Sequence, residues 1–387
     1  MLSVHNFYQS PGGEDRVFAG ETALLEQCGH TVLRYEDHND RIHSGSIDSA
    51  CDAVWSRSTF RRLEALVRST AIDVAHFHNT FPLVSPSAYY AIRRAGIPVV
   101  QALHNFRLIC PGATLSRNGS VCEECVERRS LLPGIAHGCY RDSRLATAAL
   151  STMLTVHRAA GTYQRQVDVY IAPSEFARER FIAAGLPKDR IVVKPYFVNP
   201  DPGVGDGRGD YALFVGRLTE EKGIRTLVKA WPLLSDIPLR IVGDGPLAGT
   251  KWPVGVSWLG SQSPEQMFAL IQDARVVIVP SVWYEIGPLT ILEAFACGTP
   301  VISSNLGSMA EKVRHGYNGL LFKPGDSEDL ARQVRWAFDH PEELRAMRAN
   351  ARREYEEKYT AERNYKMLMA IYEMAIENFQ RRRREAS

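Results

Sequence analysis

Short runs of β-branched and aliphatic residues alternate with amphipathic helical stretches along almost the whole of this chain. That rhythm restricts it to parallel sheets covered by helices on both faces, an α/β architecture. In the first half, residues 2–5, 31–35, 72–77, 98–103, 169–172 and 191–194 read as strands, and residues 17–28 read as a helix stopped by Gly29. The second half repeats the pattern with strands at 211–215, 239–242, 256–259, 276–279 and 301–303. Between the two sets, residues 199–210 hold two prolines, four glycines and three aspartates with almost nothing to bury, which marks a linker.

At 387 residues the chain is long enough for two domains, each with its own core. The expected division is an N-terminal domain at 1–197, a second at 198–364 and a last helix at 365–387. On that helix Tyr365, Leu368, Met369, Tyr372 and Ile376 form one stripe that needs a partner, and the first domain is the expected one. The basic run 381–384 reads as a solvated tail, with contact to an anionic membrane surface as the other reading.

A formal net charge of +2 gives no field for capturing nucleic acid. No secretory leader opens the chain, and its longest apolar helical stretch, 145–156, falls short of the roughly 20 residues a span requires. A cytoplasmic protein is expected, peripheral at most to the inner face of the membrane. Its seven cysteines should stay reduced there and need a reading other than disulfides.

Doubly wound sheets bind ligands at the carboxyl ends of their strands, so chemistry belongs in the loops that follow strands. After strand 211–215 come Gly216, Arg217, Leu218, Thr219, Glu220, Glu221, Lys222 and Gly223, two cations five residues apart. After strand 276–279 the chain passes through Glu285 to Gly287 and Pro288, which read as the cap and first position of a helix carrying Glu293. The unbonded amides of that helix start, at Leu289 and Thr290, would hold a phosphate. Glu285 and Glu293 flank it, at least roughly 8 Å apart by helical rise. A retaining glycosidase holds its pair at about 5 to 5.5 Å, so these two suit the hydroxyl-bearing ends of a single ligand. Hexose, diphosphate and ribose have that order. Gly12 and Gly13 follow the first strand and let backbone approach a phosphate, or simply make a turn.

These motifs, with Gly243–Pro246, the run 294–301 and the His104/Asn105 pair, resemble family 4 of the retaining glycosyltransferases with the GT-B fold, over nearly the whole chain. The resemblance implies two Rossmann-like domains facing a cleft. It implies that Arg217 and Lys222 neutralise the donor diphosphate, that Glu285 contacts the transferred hexose and Glu293 the ribose. Gly13 would face the diphosphate from the other domain, and His104 would lie near the reacting sugar. A UDP- or GDP-sugar donor is expected, with a glycan or lipid-linked acceptor in polysaccharide biosynthesis. Ser308 stands where a second glycine is common in this family. No Asp-x-Asp occurs, and two cations with helix amides could hold the leaving group, so no catalytic metal is expected. A nucleotide-sugar epimerase, a sugar phosphorylase or a non-catalytic nucleotide-sugar-binding protein could share the fold.

Cys110, Cys122, Cys125 and Cys139 stand apart from all this, in the loop-like insertion 106–142. The two-residue gap between Cys122 and Cys125, with one further cysteine on each side, makes the four candidates for a structural zinc; four reduced thiols or two adventitious disulfides are the alternatives.

Overall fold

The computed structural model describes residues 1–9, 12–41 and 52–386. The chain divides into two compact units, one of Met1–Leu115, Glu123–Lys194 and Tyr365–Ser387, the other of Ser116–Cys122 and Pro195–Asn364. Two six-stranded parallel sheets, one in each unit, give the GT-B architecture.

The first sheet is built from β1 (Leu2–Phe7), β2 (Leu33–His38), β3 (Ala75–Phe77), β4 (Val99–Ala102), β7 (Val169–Ala172) and β8 (Ile191–Val193), in the order β2-β1-β3-β4-β7-β8. β3, β4 and β7 are buried throughout, as strands covered on both faces must be; β7 is a continuous apolar run, and β3 and β4 are interrupted only by the buried His76 and Gln101. Between β4 and β7 lies a two-stranded hairpin, β5 (Ser116–Arg117) with β6 (Ser120–Val121).

The helix Ala361–Ala386 contributes Leu368, Ile371, Tyr372 and Ala375 to a cluster with Leu25, Val74, Val100, Val169 and Ile171. Tyr365 and Met369 pack against this cluster too, and the buried stripe continues to Phe379, with Ile376 only half-buried. The basic run is not wholly solvated. The Arg382 guanidinium donates to the buried Asp168 carboxylate, which also takes Arg93 Nη1 at 2.9 Å and the Val99 amide at 2.7 Å.

The second sheet comprises β9 (Ala212–Val215), β10 (Leu239–Val242), β11 (Val256–Trp258), β12 (Val276–Val279), β13 (Val301–Ser304) and β14 (Gly319–Phe322), ordered β11-β10-β9-β12-β13-β14. Its core gathers Phe214, Leu227, Ile241, Ile278 and Ile302 around the fully buried Trp231, whose indole donates to the Ile237 carbonyl at 2.8 Å. β14 is the strand the sequence pattern does not announce: Gly-Leu-Leu-Phe has no β-branched residue, and only pairing with β13 makes it a strand. Among the described residues, no helix is long and apolar enough to cross a membrane.

Candidate active site

In the second sheet the strand order reverses between β9 and β12, and a doubly wound sheet opens a crevice at such a point. Backbone bonds knit the loops there together. The Gly216 amide donates to Val242 (3.0 Å), Leu218 to Asp244 (2.9 Å), Leu247 to Leu218 (2.9 Å) and Val282 to Glu221 (2.9 Å). The approach is close enough to exclude side chains. A Cβ on Gly243 would lie 1.9 Å from the Gly216 carbonyl oxygen, and one on Gly223, at φ +78°, 1.9 Å from that of Pro280.

This scaffold holds Lys222, from the β9 loop, against Glu285, from the β12 loop, at 2.5 Å. The Ser281 hydroxyl (2.7 Å) and Trp283 indole N–H (3.1 Å) donate to the same carboxylate oxygen, Oε1, as the Lys222 ammonium does. Burial pushes the Glu285 carboxyl up, but the Lys222 charge and these hydrogen bonds outweigh it and hold the group below its usual range. The Ser308 hydroxyl, fully buried, donates to the Glu285 backbone carbonyl. A glycine at 308 could not make that bond.

The helix after Glu285 is Leu289–Ala296, with Pro288 as its extended N-cap at ψ 96°. The start is therefore one residue later than the expected Gly287 cap and Pro288 first position. Proline's fixed φ fits both sites, and ψ decides. Leu289 and Thr290 are the first two helical residues, and the Thr290 hydroxyl leans toward the Val215 carbonyl at 3.4 Å. Glu293 is 2% exposed and so belongs to the interior of the unit, not to a helix rim. Burial, and then the Glu293 carboxylate, push the Cys297 thiol up to about 12. Arg217 is exposed, with no carboxylate within 4.0 Å among the described residues.

In the first unit the sheet order turns between β1 and β3. Gly12 caps the helix Gly13–Gln27, and its amide donates to Asp15 Oδ2 at 2.7 Å; the other oxygen of Asp15 meets His5 Nε2 at 2.7 Å. His104 follows β4 and stacks on His78, ring centroids 5.3 Å apart and planes 10° from parallel, with its Nε2 3.1 Å from His78 Nδ1. Burial, then the neighbouring His5, His76 and Lys194, keep His104 well below the usual imidazole range and therefore uncharged.

Comparison with known proteins decides the family. Residues 13–202 match Glycosyltransferase Family 4, and residues 203–354 match Glycosyl transferases group 1. The chain belongs to the family 4 glycosyltransferases. An uncharacterised glycosyltransferase of Methanocaldococcus jannaschii is 32% identical over 180 residues, which cover 43% of this chain and 45% of that protein. The 2-deoxystreptamine glucosyltransferase of Streptomyces kanamyceticus is 29% identical over 276 residues, 67% of each chain. The first of these matches thus spans less than half of the relative. HepE of Anabaena, solved in complex with UDP, shares the fold with a TM-score of 0.65 at 16% identity, covering 95% of this chain and 98% of that one.

Within the second unit, Lys222 and Glu285 are brought into direct contact, and Glu293 follows on the helix that leaves the same loop. Sequence reasoning misses the parts played by Ser281, Trp283 and Ser308. Nothing in a Ser or Trp near a strand end announces which carboxylate it will serve. His78 does carry a signal, because His76 and His78 stand two apart at the end of β3, where one face repeats every second residue.

Zinc at Cys110, Cys122, Cys125 and Cys139, in the segment 106–142, stands as a proposal. Among the described residues, the one group of three or more His, Cys, Asp or Glu side chains with ligand atoms within 4.8 Å of one another is Glu21, His76 and His78, which includes none of them. None of the four is in a disulfide, and Cys110 is buried. They sit on separate local pieces: Cys110 in the turn after Ile109, Cys125 in the short helix Glu124–Glu127, Cys139 just beyond the helix Leu132–His137, and Cys122 after β6.

Proposed function

We propose that this protein is a retaining glycosyltransferase that moves a hexose from a nucleoside diphosphate sugar to a glycan or lipid-linked acceptor in polysaccharide biosynthesis. The observation that carries the reading is the meeting of Lys222 and Glu285 where the second sheet reverses its strand order. An ion pair across two strand-end loops is dispensable for folding a doubly wound sheet, and it stands where such sheets take nucleotides. The UDP held by HepE supports a UDP-sugar as the first donor to try.

In this reading the β- and α-phosphates lie over the start of the helix Leu289–Ala296, within reach of the Leu289 and Thr290 amides. Arg217, exposed and without a carboxylate partner among the described residues, swings onto the diphosphate, and Lys222 keeps one N–H on Glu285 while turning its other donors to the phosphate. Glu285 spends Oε1 on three protein donors and offers Oε2 to a sugar hydroxyl. Glu293 takes the ribose hydroxyls. Gly12 and Gly13 bring backbone toward the phosphates, and His104 lies beside the reacting sugar.

As the glycosidic bond lengthens, negative charge builds on the diphosphate, and preorganised cations and amides stabilise it most where water is excluded. Each such donor contributes about 3 to 4 kcal/mol to the transition state. Arg217, Lys222 and the helix amides supply this without a divalent ion, and the acceptor hydroxyl attacks on the face the diphosphate leaves. A thermal-shift screen of UDP- and GDP-sugars identifies the donor, and proton NMR of the product reads its anomeric configuration. Inversion at the anomeric carbon would overturn the retaining mechanism, and turnover lost in chelator and restored by magnesium would overturn metal independence.

A further inference from the structure

At the amino ends of its strands, opposite the ends that lead to Gly12 and His104, the first sheet gathers arginines. Arg93 lies in the last turn of the helix Ser87–Arg94 ahead of β4, Arg165 ends the short helix Thr162–Arg165 ahead of β7, and Arg190 directly precedes β8. The last helix brings two more to the same edge. Arg382 Nη1 donates to the Arg165 carbonyl at 3.2 Å, and Arg383 Nη1 lies 3.9 Å from the point that a Cβ on Gly96 would occupy.

Little negative charge answers them. Asp168, fully buried, already accepts from Arg93, Arg382 and the Val99 amide. Asp189 and Glu385 are exposed, so each offsets little. The other contacts hold guanidiniums in place without neutralising them: Arg190 Nη1 donates to the carbonyls of Gln164 (2.6 Å) and Val167 (3.1 Å), and the guanidiniums of Arg93 and Arg383 lie 4.4 and 5.8 Å from the centre of the Phe379 ring. Arg382 Nε is buried and has no hydrogen-bond partner. The crowding is felt in their acidity. Burial, and then the guanidiniums of Arg190 and Arg383, push Arg93 down to about 10; burial, and then Arg93, push Arg382 down to about 10.

We propose that this edge of the first sheet is a second ligand site, one that takes a phosphate group. All five cations are arginines, whose planar forks match phosphate oxygens in pairs. Carbonyl oxygens and an aromatic ring fix them beforehand, so an arriving anion orders little and relieves the repulsion among them. Arg93 and Arg382 are partly spent on Asp168, which leaves Arg165, Arg190 and Arg383 to make the main contacts. The site lies at the other ends of the strands from the residues assigned to the sugar, so it does not rest on the proposed transfer reaction. The same chemistry serves a free phosphate and the headgroup of an anionic phospholipid, and two arms of one experiment tell them apart.

The first arm is a thermal melt of the full chain with pyrophosphate, against sodium chloride at equal ionic strength. Pyrophosphate at about ten times its Kd should raise the Tm by about 3 to 6 °C. The double variant Arg190→Gln/Arg383→Gln keeps an N–H for the carbonyls and leaves Asp168 its partners, and it should bind at least about tenfold more weakly. Arg165→Gln, at an exposed position, should weaken binding in the same direction without touching a buried contact, which keeps the test open if the double variant does not fold. Arg217→Ala should retain the shift, which separates this edge from the crevice of the second unit. The second arm is flotation with vesicles of phosphatidylcholine, with and without phosphatidylglycerol. Flotation that needs phosphatidylglycerol and is lost in the variants assigns a lipid headgroup; a pyrophosphate shift lost in the variants, without flotation, assigns a soluble phosphate. A shift that sodium chloride reproduces, a response that is unchanged in the variants, a shift that only Arg217→Ala removes, or no response to either probe would overturn the proposal.

Discussion

Lys222→Ala should destabilise the second unit far more than Glu285→Gln, although each breaks the same ion pair. Removing Lys222 leaves a carboxylate that is 9% exposed with only the neutral donors Ser281 and Trp283. Removing one partner of a buried pair costs about 3 to 5 kcal/mol. Because the lysine side chain is itself 23% exposed, about 2 to 3 kcal/mol is the better figure. In a unit of this size each kcal/mol moves Tm by about 2 to 4 °C, so the drop should be about 4 to 12 °C. Glu285→Gln removes the charge but keeps an oxygen for Ser281 and Trp283 and lets Lys222 extend into water, at a cost of about 1 kcal/mol. The double variant should therefore be more stable than Lys222→Ala alone.

The pH dependence has a definite sign. The folded Glu285 carboxyl lies below its reference value of 4.5, so the pair contributes fully above that value and loses its contribution as pH falls through the folded pKa. The gap between wild type and Lys222→Ala should accordingly be wide at neutral pH and close in acid. Urea unfolding monitored at Trp283 and Trp231, with calorimetry at several pH values, measures all four proteins. A Lys222→Ala Tm within about 1 °C of wild type, or a double variant less stable than that single one, would refute the reasoning.

Arg217→Ala should lower turnover by about a hundredfold to a thousandfold while leaving the Tm of the unliganded protein unchanged, since no ion pair is lost; a parallel melt and rate assay checks both. Ser308→Ala should cost about 1 kcal/mol and lower kcat, because it leaves the Glu285 carbonyl without its buried donor, and denaturant titration reads the difference. Gly223→Ala combines φ +78° with a Cβ 1.9 Å from a carbonyl oxygen, so it should cost more than about 3 kcal/mol and yield little soluble protein. Elemental analysis of chain purified without an affinity tag decides the zinc reading: about one zinc per chain, lost in Cys122→Ser, supports it, and no metal together with four freely titrating thiols rejects it.

What is legible in the sequence divides from what is not along a physical line. Strands such as β7 and β12 are apolar because both of their faces are covered, and a local run of Val and Ile records that fact without help from distant residues. Positions that follow strands are legible for the same reason, so Arg217, Lys222, Glu285 and His104 stand out from the order of residues alone. The partnerships do not. Lys222 and Glu285 are 63 residues apart, Lys194 and Glu21 173, and a sequence gives the ends of such contacts without saying that they meet. The expectation that Lys222 neutralises a donor diphosphate gains a condition for this reason: without a ligand its ammonium is already engaged, and in the proposed function a donor would share it with Glu285. That sharing couples the two ends of the proposed ligand. A phosphate that draws Lys222 away weakens its hold on Glu285 Oε1, which raises the basicity of the carboxylate as a sugar hydroxyl arrives to donate to it. Occupation of the phosphate site should then strengthen the grip on the hexose, so a complete nucleotide sugar should bind more tightly than the separate affinities of nucleotide and sugar would give.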